Sequence, residues 1–179
     1  SIVALGFVTD AFVHGCKACY LPMVLVLESE FGWTRSNLSL LAALVHVFIL
    51  IMTPISGLLI DKHPPNYVIG AGLLTLSISL FLTSFVSQYW HVILSYGVLC
   101  GSAYGSLNLN VFSVVVINTI PERKQGLAIG ITNAGSTFGH FAMTPLFLLF
   151  IRAYNWRLAF VLLAALGILI IVPTLLLLS

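Results

Sequence analysis

Apolar and polar positions along this chain fall in long blocks, not in the short periods of an amphipathic surface helix or a half-buried strand. Asp, Glu, Lys and Arg are missing from residues 36–60, 63–121, 125–151 and 158–179. About 20 apolar residues in a helix match the hydrocarbon thickness of a bilayer. Each run is therefore long enough to cross once, and the second is long enough to cross twice. The blocks predict six spans, at about 2–27, 37–60, 67–86, 92–117, 126–151 and 158–178. Within lipid the backbone must satisfy its own polar groups, which leaves helices or a closed barrel. The runs lack the alternation of barrel strands. The expected fold class is all-α: a polytopic membrane protein with six transmembrane helices, integral and multi-pass, in a plasma or inner membrane.

The span ends carry recognisable signals. Ser36 is placed to accept from free amides at the start of the second span, as an N-cap does. Pro64 and Pro65 forbid continuation of that helix. Trp33, Trp90 and Trp156 all fall beside span ends, where the bilayer interface favours amphipathic rings. Charge does not orient the chain. With the N-terminus inside, Lys62, Arg123 and Lys124 lie inside, while Arg35, Arg152 and Arg157 lie outside.

Composition agrees with the pattern. Hydrophobic residues make up 60% of 179 and charged residues 7%, against about 25% charged in a soluble domain. A net charge of +2 gives no footprint for nucleic acid. Cys16 and Cys19 have C-x-x-C spacing, which is open to a redox or metal reading but reads better as two small apolar residues on a helix. No second Cys pair or His-x-x-His supports a metal, and no cofactor is expected. The chain opens on Ser1 inside an apolar segment, which reads as a fragment of a longer polypeptide. That segment lacks the basic start and small-residue cleavage site of a signal peptide, and it contains Asp10 and Lys17.

Polar groups inside spans are costly and so mark candidate chemistry. Asp10, His14 and Lys17 are four and three residues apart, within an arc of roughly 60° on one helix face. Each charge at the bilayer centre costs ~2.5–3.5 kcal/mol, so this face turns inward. Either it lines a pathway, with Lys17 attracting a carboxylate and Asp10 or His14 exchanging a proton, or it closes a structural charge network. Asn108 and Asn110 lie in the fourth span, and Asn133, Ser136 and His140 share a face of the fifth. These groups serve equally as substrate contacts or as helix glue. His46 reads as a satisfied interior histidine. Gly97, Gly101 and Gly105 recur every fourth residue in the fourth span, and Gly126, Gly130, Gly135 and Gly139 mark the fifth. Such glycine faces let another backbone approach, as a static seam or a sliding one.

Gly57-Leu58-Leu59-Ile60-Asp61-Lys62, between the second and third spans, resembles the Gly-x-x-x-Asp-Arg/Lys loop of the major facilitator superfamily. Gly57, Asp61 and Lys62 match; His63-Pro64-Pro65-Asn66 departs from the usual basic end. Phe31-Gly32-Trp33-Thr34-Arg35-Ser36, then Arg123-Lys124-Gln125-Gly126-Leu127-Ala128-Ile129-Gly130 with Ala134-Gly135, and Asn155-Trp156-Arg157 resemble the monocarboxylate and oxalate/formate branch. The arginine that many members carry in the fourth span has no counterpart; Tyr96 and Gly97 stand near that place. The resemblance spans essentially the whole chain. It implies an amino-terminal half built of two inverted three-helix repeats, a cytoplasmic Asp61-Lys62 loop with a gating role, and a second six-helix half in the same polypeptide or a partner chain.

The leading expectation is secondary transport of a small organic anion by alternating access, by exchange or with protons. A non-transporting membrane scaffold or receptor on the same fold is the alternative. An intramembrane enzyme ranks last, because no nucleophile–base pair stands at a readable spacing.

Overall fold

The computed structural model describes residues 2–178; the side chains of residues 2, 109–113 and 175–178 lie outside the described residues. It is helical throughout, with no strand among the described residues. The helices are α1 (Ile2–Ala18), α2 (Tyr20–Phe31), α3 (Arg35–Lys62), α4 (Pro65–Ser84), α5 (Tyr89–Val92), a π-helical segment (Ile93–Cys100), α6 (Gly101–Ser106), α7 (Leu109–Thr119), α8 (Glu122–Ala153) and α9 (Trp156–Leu178). Among the described residues, 5 helical stretches are long and apolar enough to cross a bilayer: Val3–Phe31, Arg35–Lys62, Pro65–Ser84, Glu122–Ala153 and Trp156–Thr174.

The fourth expected span, 92–117, differs from the simple prediction. It is assembled from the π-helical segment, α6 and α7, with a break at Leu107 and Asn108. Neighbouring hydroxyls explain the irregularity. Ser79 on α4 donates to the Ser95 carbonyl at 2.6 Å, and Ser95 itself donates back to the His91 carbonyl at 2.7 Å. A carbonyl engaged from outside the helix loosens the regular ladder there. At the break, Ser56 on α3 donates to the Gly105 carbonyl at 3.3 Å and the Asn108 amide donates to Thr53 at 3.3 Å. Backbone freed from a helix at membrane depth is tolerated where neighbouring helices supply such partners.

Other boundaries have local causes. Pro22 lacks the N–H that would reach the Ala18 carbonyl and crowds that turn, so the first span divides at Cys19 into α1 and α2. The N-cap of α3 is Thr34, not Ser36: its side chain accepts from the Asn37 N–H at 3.3 Å. Gly32, at φ 65°, ends α2 in the left-handed conformation that glycine adopts without strain. Pro65 opens α4 at a position where a missing N–H is not felt.

Packing pairs the first span with the fifth, the second with the fourth and the third with the sixth. α1 lies along α8, α3 along α6 and the π-helical segment, and α4 along α9. Glycines set the closest approaches. A Cβ at Gly101 would stand 2.8 Å from the Val45 carbonyl oxygen, and one at Gly105 would stand 3.0 Å from that of Ile49. At Gly135 it would stand 2.5 Å from the Phe7 carbonyl oxygen, and Gly139 abuts Ala11 in the same way. In each pair two glycines four apart meet two carbonyls four apart. Gly97 meets side chains rather than backbone, Leu41 at 3.3 Å and Leu44 at 3.8 Å. Gly126 and Gly130 were expected to pack as well, but nothing lies within 4 Å of where their Cβ would be, because at 3.6 residues per turn they fall on the face of α8 turned away from Gly135, Gly139 and α1.

One face of the bundle is tied by aromatic and charged groups. The Trp156 indole N–H donates to Glu30, and the Arg157 guanidinium lies 4.7 Å from the Trp156 ring centre. Arg157 also donates to the Ser84 and Val86 carbonyls at 3.3 and 3.1 Å, at the C-terminal end of α4. Trp156 is therefore not an interface anchor: it is buried against Phe31 and Phe160. Arg157→Ala strands two carbonyls and a stacked indole. We expect it to cost about 1–2 kcal/mol, after discounting charge-assisted hydrogen bonds for partial exposure. A lowered unfolding temperature in detergent would report the loss; an unchanged one would show that the tie is dispensable.

Candidate functional site

The stripe on α1 divides between two neighbours. Asp10 is 0% exposed, enclosed where α1 meets α8, and neither carboxylate oxygen receives a well-directed hydrogen bond. The Thr9 hydroxyl beside it is also buried without a partner. His14 Nδ1 stands 3.2 Å from Asp10 Oδ1 and 3.2 Å from the Asp10 backbone oxygen. Beyond it on α8, the His140 ring lies 5.9 Å from the His14 ring. Helix periodicity brings Asp10 and His14 together, and the glycine seam at Gly135 and Gly139 brings His140 to them.

Lys17 turns elsewhere. It lines a cleft of about 90 Å³ with Tyr20, Val45, His46, Tyr96 and Tyr104. The Tyr20 and Tyr96 rings stack 5.6 Å apart. Of the three ionisable groups on α1, Asp10 is sealed, His14 is partly exposed, and Lys17 borders open space. His46 is exposed on α3, with its ring nitrogen 2.8 Å from the carbonyl oxygen of Ala42 one turn back. It is a wall of the Lys17 cleft rather than an interior group, because α3 meets its neighbours through Leu41 and Val45 and leaves the adjacent face open.

Of the polar groups of α8, His140 comes near the stripe, within electrostatic reach of His14 and Lys17, while none of them lines the Lys17 cleft. Asn133 and His140 are exposed, and the partly exposed Ser136 hydroxyl donates to the Asn133 carbonyl at 2.7 Å. Asn108 is engaged with Thr53 at the break in the fourth region. Asn110 lies outside the described residues. Asp61 and Gly57 border a separate cleft of about 190 Å³ with Thr53 and Asn108, near the far end of α3. Asp61 and Lys62 are exposed and make no ion pair among the described residues. Cys16, Cys19 and Cys100 are buried free thiols, and no group of metal-ligating side chains gathers among the described residues.

A sequence model described as Major Facilitator Superfamily matches residues 4–179. The chain belongs to the major facilitator superfamily. Within it, monocarboxylate transporter 13 of Bos taurus is 25% identical over 167 residues, covering 93% of this chain and 39% of that protein. Monocarboxylate transporter 3 of Rattus norvegicus is 28% identical over 162 residues, covering 89% and 33%. An MFS-type transporter of Aspergillus fumigatus is 34% identical over 94 residues, covering 52% and 21%. The chain thus spans two-fifths or less of the length of these relatives, as one half of a superfamily transporter of the monocarboxylate branch would. It is a multi-pass integral membrane protein.

Several residues of this superfamily member escaped sequence reasoning. Tyr20, Tyr96 and Tyr104 sit in apolar runs where an aromatic reads as core. Glu28 and Arg35 read as loop charges, yet they pair at 3.2 Å across the turn between α2 and α3. The pairing could have been found only from the tightness of the Gly32 turn. The Phe-Gly-Trp-Thr-Arg and Asn-Trp-Arg stretches meet in space, with Phe31 stacked on Trp33 at 4.7 Å and edge-on to Trp156 at 6.3 Å.

Proposed function

We propose that this chain forms one wall of a secondary transporter that moves a small organic anion of the monocarboxylate class by alternating access, by exchange or together with a proton. The observation that carries the proposal is Lys17: a cation at membrane depth, bordering an open cleft and free of any carboxylate partner among the described residues. An ammonium so placed is costly unless it meets water, a counter-ion or an anionic passenger. The names of the monocarboxylate transporters it resembles favour the same substrate class.

The rest of the site takes roles around Lys17. His14 and Asp10 hold a transferable proton beside the pathway. Asn133, Ser136 and His140 give α8 a hydrogen-bonding face too polar for lipid, which a second six-helix half would cover around the aqueous route, with Asn108 bordering it from the fourth span. The helix pairing supports an inverted-repeat plan for this half. Exchanging first with fourth, second with fifth and third with sixth maps the observed set of pairs onto itself. Gly57, Asp61 and Lys62 form a gating loop, whose carboxylate stands free to be tied in one state and released in the other. A ligand drives such a change only through differential affinity for the two states.

The test is uptake of a labelled monocarboxylate by proteoliposomes holding the complete polypeptide. Lys17→Ala removes a charge-assisted contact worth about 1.5–3 kcal/mol, so uptake should fall about 10- to 100-fold. Uptake equal to that of the unsubstituted protein would end the substrate role of Lys17. Absence of any substrate-dependent uptake in the unsubstituted protein would favour a scaffold or receptor.

A further inference from the structure

Lys17 lies too deep to meet an anion arriving from the membrane surface, and the structure shows a route above it. A second cleft, of about 420 Å³, opens between α2 and the start of α3. Glu28 and Arg35 stand in its wall near the membrane face opposite the Asp61-Lys62 loop, and Tyr20 and Ala42 form its floor. The same Tyr20 and Ala42 form the upper wall of the Lys17 and His46 cleft. The two spaces are therefore stacked, with the Tyr20 ring between them. That ring is held by its stacking on Tyr96 and by a hydrogen bond from its hydroxyl to the Leu38 carbonyl.

We propose that Arg35 is a capture site for the carboxylate of the transported anion, held in reserve by Glu28, and that Tyr20 separates this outer site from Lys17. The inference rests on the transport reading above. Its chemistry is exchange of one carboxylate for another. Arg35 Nε donates to Glu28 Oε1 at 3.2 Å, with the Arg35 side chain 83% exposed and that of Glu28 35% exposed. An ion pair this open to water is weak, because solvent screens it and the two side chains lose freedom in forming it. A guanidinium presents a planar fork that fits a carboxylate, so an incoming monocarboxylate displaces Glu28 without a large penalty. Glu28 then has a second effect. Its negative charge beside the same cleft disfavours anions while it is unpaired, so capture is weaker than Arg35 alone would give. From Arg35 the anion reaches Lys17 once the Tyr20 ring swings off Tyr96.

The arrangement predicts opposite signs for two neutralising substitutions. In proteoliposomes of the complete polypeptide, Arg35→Gln should raise KM for a labelled monocarboxylate about fivefold, with the maximal rate within twofold and a weaker dependence of KM on ionic strength. Glu28→Gln should lower KM about twofold, and the double substitution should give a KM below that of Arg35→Gln alone, because the unpaired Glu28 charge is gone from the cleft, and above that of the unsubstituted protein. Arg35→Lys keeps the charge and should restore most of the loss. A merely structural pair would give a different pattern: both single substitutions would reduce the amount of folded protein or the maximal rate, in the same direction, with KM unmoved. That result overturns the inference and leaves transport intact. No saturable uptake by the unsubstituted protein overturns the transport reading and this inference with it.

Discussion

Replacing Gly139 with alanine should destabilise the chain by about 3 kcal/mol, the upper end of the usual cost of overpacking. A Cβ at this position would overlap the Ala11 carbonyl oxygen and would stand 2.7 Å from its carbon and 2.8 Å from its Cα. These are backbone atoms of α1, so no side-chain rotamer can yield. The two helices must part, and their contact also holds Gly135 against Phe7 and His14 opposite His140. Interfaces in lipid gain from close packing rather than from expelling water, so a seam opened by an ångström loses most of what joins it. Gly130→Ala on the same helix is the control. Nothing lies within 4 Å of its Cβ position, and alanine favours helix over glycine by about 1 kcal/mol. The measurement is the temperature at which detergent-solubilised protein loses its monodisperse peak. Equal midpoints for the two variants would show that α1 and α8 are not locked as described.

The same seam marks the boundary of what could be read from residues alone. Charge-free runs announced the membrane and the helices, because lipid leaves the backbone few alternatives. Glycines four apart announced close packing, but not which of them would be used: Gly135 and Gly139 touch α1, while Gly126 and Gly130 touch nothing. Periodicity placed Asp10, His14 and Lys17 on one face of α1, yet a face of 60° is wide enough to border two neighbours. The packing of α8 encloses Asp10, and the open side of α3 exposes Lys17. The break at Asn108 was hidden because its cause lies on another helix, in Thr53 and Ser56. Trp156 resembled an interface residue from its place beside a loop; it is buried against Phe31, far away in sequence, and its indole donates to the neighbouring Glu30. Local chemistry was legible, and long-range partners were not.

Asp10→Asn should separate the two modes of transport proposed above. In the conformation described here the carboxylate is fully enclosed, with His14 Nδ1 at 3.2 Å as its ionic partner. In the proposed role, one proton shared by the two side chains leaves the pair neutral overall. Stripping that proton while α1 stays packed on α8 would leave a buried carboxylate without a counter-charge, a cost of several kcal/mol. In that role release waits on a state in which the carboxylate meets water or a counter-charge, which would tie proton movement to the change of state. Asparagine keeps the shape and cannot take part in the exchange of a proton. Uptake driven by a pH gradient should fall at least about tenfold, equivalent to about 1.4 kcal/mol. Exchange of internal for external substrate, during which no net proton moves, should stay within about twofold of the unsubstituted protein. Both rates come from the same proteoliposomes, loaded either with buffer at a different pH or with unlabelled substrate. Equal retention of both would move the coupling proton away from Asp10. Loss of both with an unchanged unfolding temperature would place Asp10 in the state change itself, because a group needed only for the proton leaves exchange running.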